Sequence, residues 1–229
     1  MTTIIGNDGV NLLQGATDYY GLGGDDFYDV SYSSRVFEEV GGGYDTAITH
    51  GSFTLLPGSE VERIVRLYAN STNDPTRAFL IGNEFAQSIR GVDTTGQYIG
   101  DDVLDGKGGS DTLEGLRGND TFQFSTALGP DNVDHIVDFT DNQFYNDSIA
   151  LHNQIFTALG AAGALNSDAF FAGTAAHDAD DRIIYDQTSG NLYYDADGLG
   201  GNAQILFAIV DNKAALTAAD FIVIDFPAI

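Results

Sequence analysis

An all-β fold, a right-handed parallel β-roll (β-helix) of nine-residue repeats with a C-terminal antiparallel β cap, is predicted by three observations. Glycine, aspartate and an apolar residue recur in fixed phase in tandem units of nine. The stretches between the units are β-rich and punctuated by Gly and Pro. From Phe124 onward the repeat stops and hairpin-like patterns replace it.

The clearest array is Gln97–Asp105, Gly106–Glu114 and Gly115–Gln123. These three units keep Gly at the fourth place, Asp at the sixth and Leu or Phe at the eighth. A glycine-aspartate nonapeptide in this phase is a known signature of calcium-binding parallel β-helix repeats. An earlier unit, Gly82–Arg90, keeps Ile89 but carries Gln87 in the aspartate place, and Gly91–Gly96 breaks the period. Near the N-terminus Gly21–Asp29 is a full match, Gly6–Gln14 has Asn11 at the sixth place, and Gly15–Tyr20 reads as a shortened unit carrying Asp18.

The pattern has a physical logic. Glycine supplies turn conformations that other residues resist. Turn carbonyls and one aspartate per unit offer hard oxygen donors in a flexible cage, which favours Ca²⁺ over transition metals. The eighth residue, Leu104, Leu113 or Phe122, is expected to face the core. One unit buries almost nothing, so stacking and ions must hold the array together. The expected ligand set is Gly100 and Asp102, Gly109 and Asp111, Gly118 and Asp120, Gly24 and Asp26, with Asp18 and Asn11. Successive turns alternating sides would put Asp102 and Asp120, eighteen apart, in one row. Asp111 would lie opposite, with Asp93 its earlier neighbour, and Asp8 would pair with Asp26.

The stretch 30–81 is read as wider, irregular coils of the same solenoid within a roll spanning residues 1–124. Arg35–Val40, Ala47–His50 and Val61–Tyr68 are strand-like, and Ser71–Pro75 is an exposed loop. In the remaining 125–229, strands are expected over Val133–Phe139, Asp147–Leu151, Gln204–Val210 and Asp220–Ile224. A hairpin is expected from Arg182–Asp186 and Asn191–Asp195, and a short helix over the Ala- and Leu-rich Gln154–Leu165.

Composition narrows the function. Acidic residues number 34 against 9 basic, a net charge of −25. Such crowding opposes compaction unless cations neutralise it, and it argues against nucleic acid or anionic lipid as partners. Hydrophobic residues at 43% are ample for a core. There is no Cys, hence no disulfide brace, and bound metal is the natural substitute. Met1–Asp8 has neither the basic nor the apolar region of a signal peptide, and no apolar run is long enough to span a membrane.

These residues resemble the RTX (hemolysin-type repeat) family of calcium-binding proteins exported by bacterial type I secretion. The arrays match its nonapeptide. Gly118–Phe122, Ile136–Phe139, Asp180–Asp186 and Tyr193–Gly198 are similar, in order, to the C-terminal domain of serralysin-type secreted proteins. The resemblance implies extracellular Ca²⁺ as the folding trigger. It also implies an export signal in Leu216–Ile229 read by the type I secretion machinery. Family members usually carry an enzyme or toxin domain before the repeats, whereas here the repeats begin at Gly6. A non-enzymatic matrix, surface or adhesion component is the first reading. The alternatives are an accessory module binding acidic polysaccharide, or the C-terminal export portion of a larger secreted enzyme such as a metalloprotease.

No catalytic residue is assigned. His50, His135, His152 and His177 form no HExxH, and no G-x-S-x-G occurs. A carboxylate pair for glycoside hydrolysis is neither marked nor excluded by spacing. Asp195-Ala196-Asp197-Gly198 resembles the start of an EF-hand loop, but Leu206 stands where its closing Glu belongs. Tyr19, Tyr20, Tyr32 and Tyr68 fit core packing better than a sugar-binding face.

Overall fold

The computed structural model describes residues 2–67, 77–93 and 100–225. Among them strands dominate, mostly in parallel pairs, and the helical pieces are three single 3-10 turns. No described helix is long and apolar enough to cross a membrane.

The chain opens with β1 (Thr3–Ile5), β2 (Leu12–Gln14), β3 (Asp18–Tyr20), β4 (Phe27–Val30), β5 (Arg35–Phe37) and β6 (Thr46–Thr49). Strands β1, β3 and β5 form a three-stranded parallel sheet, while β2, β4 and β6 begin an eleven-stranded one. Next come β7 (Phe53–Thr54), β8 (Arg63–Arg66), β9 (Arg77–Ile81), β10 (Ser88–Arg90) and β11 (Asp101–Asp105). They are followed by β12 (Thr112–Glu114), β13 (Thr121–Phe124), β14 (Asp134–Ile136) and β15 (Ser148–His152). The even members extend the large sheet, and the odd ones build a seven-stranded sheet. From β1 to β15 the chain therefore changes sheet at every strand.

Strands this short persist because each places an apolar residue inward, large in all but Ala47, in register with its neighbours. Leu13, Tyr28, Ala47, Ile64, Ile89, Leu113 and Ile136 align across the large sheet. Phe53, Leu80, Leu104, Phe122 and Ile149 align across the seven-stranded one. All twelve are buried. Burying such a side chain contributes about 1.5–3 kcal/mol, so the stacked column, not any single unit, holds the coils together. The expected inward positions of Leu104, Leu113 and Phe122 are as seen.

The two smaller sheets are separated at Ser59. Its hydroxyl accepts from the Glu38 N–H (3.0 Å) and donates to the Val36 carbonyl (2.6 Å). One side chain thus satisfies the edge of β5 where a further strand would otherwise pair.

The last strands are β16 (Gly163–Ala164), β17 (Phe170–Ala172), β18 (Ile183–Asp186), β19 (Asn191–Tyr194), β20 (Ile205–Val210) and β21 (Phe221–Ile224). The expected hairpin is present: β18 and β19 pair antiparallel, as do β19 and β20. The region is mixed rather than wholly antiparallel, however. Strand β20 lies parallel to β14 and β21 parallel to β15, so both sheets run on past residue 124. The helix expected over Gln154–Leu165 is reduced to the 3-10 turn Thr157–Leu159. Gly160 follows it at φ 82° and Gly163 stands at φ 141°, left-handed conformations that end a helix, and β16 pairs antiparallel with β21 instead. Ser71–Pro75, Tyr68 and the opening of the Gln97 unit lie outside the described residues.

Candidate metal centres in the turn rows

Two residues before each inward apolar residue lies the sixth place of the unit, and these places form rows. In the large sheet the row is Asn11, Asp26, Asp45, Glu62, Gln87, Asp111 and Asp134. Each backbone N–H in it, where a bond is seen, donates to the acid of the next coil. Asn11 donates to Asp26 Oδ1 (2.7 Å), Asp26 to Asp45 Oδ1 (2.8 Å) and Asp45 to Glu62 Oε2 (2.6 Å). Further along, Gln87 donates to Asp111 Oδ1 (2.7 Å) and Asp111 to Asp134 Oδ1 (3.0 Å). In the seven-stranded sheet Asp102 donates to Asp120 Oδ1 (2.7 Å) and Asp120 to Asp147 Oδ1 (2.8 Å). Coil length varies, yet the ladder persists, because insertions are absorbed between strands.

Using one carboxylate oxygen for the ladder leaves the other to be accounted for. Asp26, Asp45, Asp111 and Asp120 are 0–1% exposed, and the Oδ2 of each has no hydrogen-bond partner. Buried polar atoms are nearly always paired, so four such oxygens at equivalent positions call for a common cause. The turn glycines show where they point. A methyl group built on Gly106 would overlap Asp111 Oδ2, and one on Gly115 would lie 2.6 Å from Asp120 Oδ2. Gly21 stands in the same way over Asp26 Oδ2, so in these three units the first glycine leaves room over the sixth carboxylate.

The electrostatics agree. Burial pushes the Asp120 carboxyl up to about 9, helped by the nearby Asp147 and Asp102 charges. Asp111 and Asp134 are also raised, both by burial first; the Asp134 charge then adds to the effect at Asp111, and the Asp105 charge to that at Asp134, whose hydrogen bonds to Asp111 oppose it. Asp147, whose two oxygens accept from Asp120 and Thr140, is raised by burial to about 7. Such sites hold protons unless a cation displaces them. The donor set is all oxygen, which suits a hard divalent ion.

Several expected ligands have other partners. Asp18 sits at the seventh place, one residue past Thr17, and its carboxylate makes two 2.8 Å bonds to Arg35. The shortened unit had hidden that shift of frame. Asp102 does share a row with Asp120, but its carboxylate pairs with the buried Arg66 guanidinium. Asp111 has Gln87, not Asp93, as its earlier neighbour; Asp93 is half exposed and lies 3.6 Å from Arg117. Asp26 is joined to Asn11 rather than Asp8, and Asn11 contributes its N–H and Nδ2 to Asp26 Oδ1.

The fourth-place glycines serve the backbone. Gly109 (φ 91°) and Gly118 (φ 153°) have left-handed conformations, and a side chain on either would strike the preceding coil at Phe85 or Gly100. Gly24 packs likewise on Gly9, and Gly100 is the surface on which Gly118 stacks.

Sequence reasoning missed Asp45, Asp134 and Asp147. Asp45 closes Gly41-Gly42-Gly43-Tyr44-Asp45-Thr46-Ala47, a repeat disguised by a small residue at the eighth place. Asp134 and Asp147 retain only Asp-x-Ile, without glycines. Elsewhere, Asp195 Oδ1 accepts from Asp197 and Gly198 N–H groups in a tight turn. Tyr19 is buried, Tyr20 stacks on Phe37 and Tyr32 is exposed. A scan against family models and a search of curated proteins gave no match.

Proposed function

We propose that this chain is a secreted, non-enzymatic calcium-binding protein of RTX type, a right-handed parallel β-roll whose folding is driven by extracellular Ca²⁺. Its role is that of a matrix, surface or adhesion component, exported by type I secretion through its C-terminal residues. Asp111 and Asp120 hold ions in the turn rows, with turn carbonyls completing the oxygen set. The observation that carries this reading is the repeated buried Oδ2 without a partner at the sixth place.

Magnitudes make the ion a folding switch. Extracellular-type sites have Kd of roughly 10⁻⁴–10⁻³ M. At tenfold excess of calcium each contributes about 1.4 kcal/mol. A few sites then contribute about 4–6 kcal/mol, comparable to a domain's whole margin. In micromolar calcium this vanishes.

Circular dichroism during a calcium titration, with magnesium as control, tests the proposal. A β spectrum should develop with calcium in the millimolar range and not with magnesium at the same concentration. An unchanged spectrum and melting point after exhaustive chelation would refute it.

A further inference from the structure

Glu38 lies outside every recognised repeat, just after β5, yet it is buried. Asp26, Glu38 and Asp45 each present a carboxylate oxygen to the same point, all within 4.8 Å of one another. Two of these groups, Asp26 and Asp45, are at most 1% exposed and have an Oδ2 without a partner. The glycine above them is Gly21: a methyl group there would overlap Glu38 Oε1, the Tyr28 hydroxyl and Asp26 Oδ2 at once. The Tyr28 hydroxyl donates to Glu38 Oε1, which orients that carboxylate. Burial, then the Asp45 and Asp26 charges, push Glu38 up to about 7.

We propose that Glu38 joins two members of the turn row, Asp26 and Asp45, in a three-carboxylate divalent-cation site, of the calcium class, that ties the segment after β5 to the first two acidic turns. It rests on the same reading of partnerless buried oxygens as the turn rows, but its ligand set differs. Three carboxylates come from three successive passes of the chain, one of them supplied by a residue the repeat does not specify. Three acids this close repel strongly, and a doubly charged ion is the compact way to relieve them.

The test uses the full chain with terbium as a luminescent stand-in for calcium, excited through tyrosine, and calcium stoichiometry by calorimetry. The protein has no Trp, so sensitised emission reports tyrosine beside the ion. Glu38→Gln should lose one calcium and most of the emission. Tyr28→Phe, which keeps the carboxylates and the core ring, should lower the emission, the neighbouring Tyr19 supplying the remainder, while keeping the count. Asp120→Asn should lose a calcium but keep the emission. The site is overturned if Tyr28→Phe and Glu38→Gln leave both readouts at wild-type values. If instead Asp120→Asn changes neither readout while Glu38→Gln loses an ion, this site stands and the turn-row reading falls.

Discussion

The first coils of the molecule carry two rows of sixth-place residues on opposite sheets, and the rows solve the same problem differently. Beside β1, β3 and β5 the places are held by Thr2, Thr17 and Ser34. There Thr17 Oγ1 accepts from the Thr2 N–H (3.1 Å) and donates to the Thr2 carbonyl (3.0 Å). Ser34 Oγ likewise accepts from the Ser31 N–H (2.9 Å). Beside β2, β4 and β6 the places are Asn11, Asp26 and Asp45, and two buried oxygens remain without partners. A hydroxyl row closes its hydrogen bonds within the chain; a carboxylate row has one oxygen and one charge too many. The place in the coil sets the stacking, and the residue type decides whether the hydrogen bonds close within the chain. Asp102 shows a third solution, with Arg66 supplying the positive charge from within the chain.

The largest expected effect is on pH dependence, because Asp111, Asp120, Asp134 and Asp147 shift together. Their native values lie above the unfolded carboxylate value of ~3.9. The native state therefore holds more protons, and in chelator its stability is greatest near pH 4 and falls as pH rises toward about 9, the value of Asp120. In millimolar calcium the trend reverses over the same window, since ions compete with those protons. Thermal melts across pH in both buffers check this; parallel curves would erase the distinction between the rows.

A smaller effect is expected for Asp120→Asn. In calcium it should cost about 1.4 kcal/mol, one site's contribution at tenfold saturation. In chelator it should be neutral or stabilising, because the amide carries no charge where burial and the Asp147 and Asp102 charges disfavour a carboxylate. Denaturant titrations in the two buffers separate these signs. Smallest is Thr17→Val in the hydroxyl row, expected to cost about 1 kcal/mol for lost hydrogen bonds and to cost the same with or without calcium. A calcium-dependent cost there would mean the hydroxyl row is not self-sufficient.

How much of this was legible in the sequence follows from where local rules decide. Asp111 and Asp120 stand in units with both glycines intact, so their places could be counted directly. Leu104, Leu113 and Phe122 were readable for the same reason. Asp18 was misassigned because a six-residue coil moves the frame by one, and only the pairing of Tyr19 with Ile4 and Val36 restores it. The Gln87–Asp111 step spans 24 residues, not eighteen, since residues 91–96 add six to two nine-residue units, which pairing tolerates and counting does not. Glu38 belongs to no repeat, and only the folded chain brings its carboxylate beside those of Asp26 and Asp45. The parallel docking of β20 on β14 is likewise a long-range choice that no local pattern encodes.

The most direct measurement is a crystallographic anomalous-difference map of the protein grown in millimolar calcium, collected where calcium scatters anomalously. Peaks are predicted beside Asp120 Oδ2 under Gly115 and beside Asp111 Oδ2 under Gly106, with none beside Thr17. Ordered water or a featureless map at both carboxylates would contradict the account.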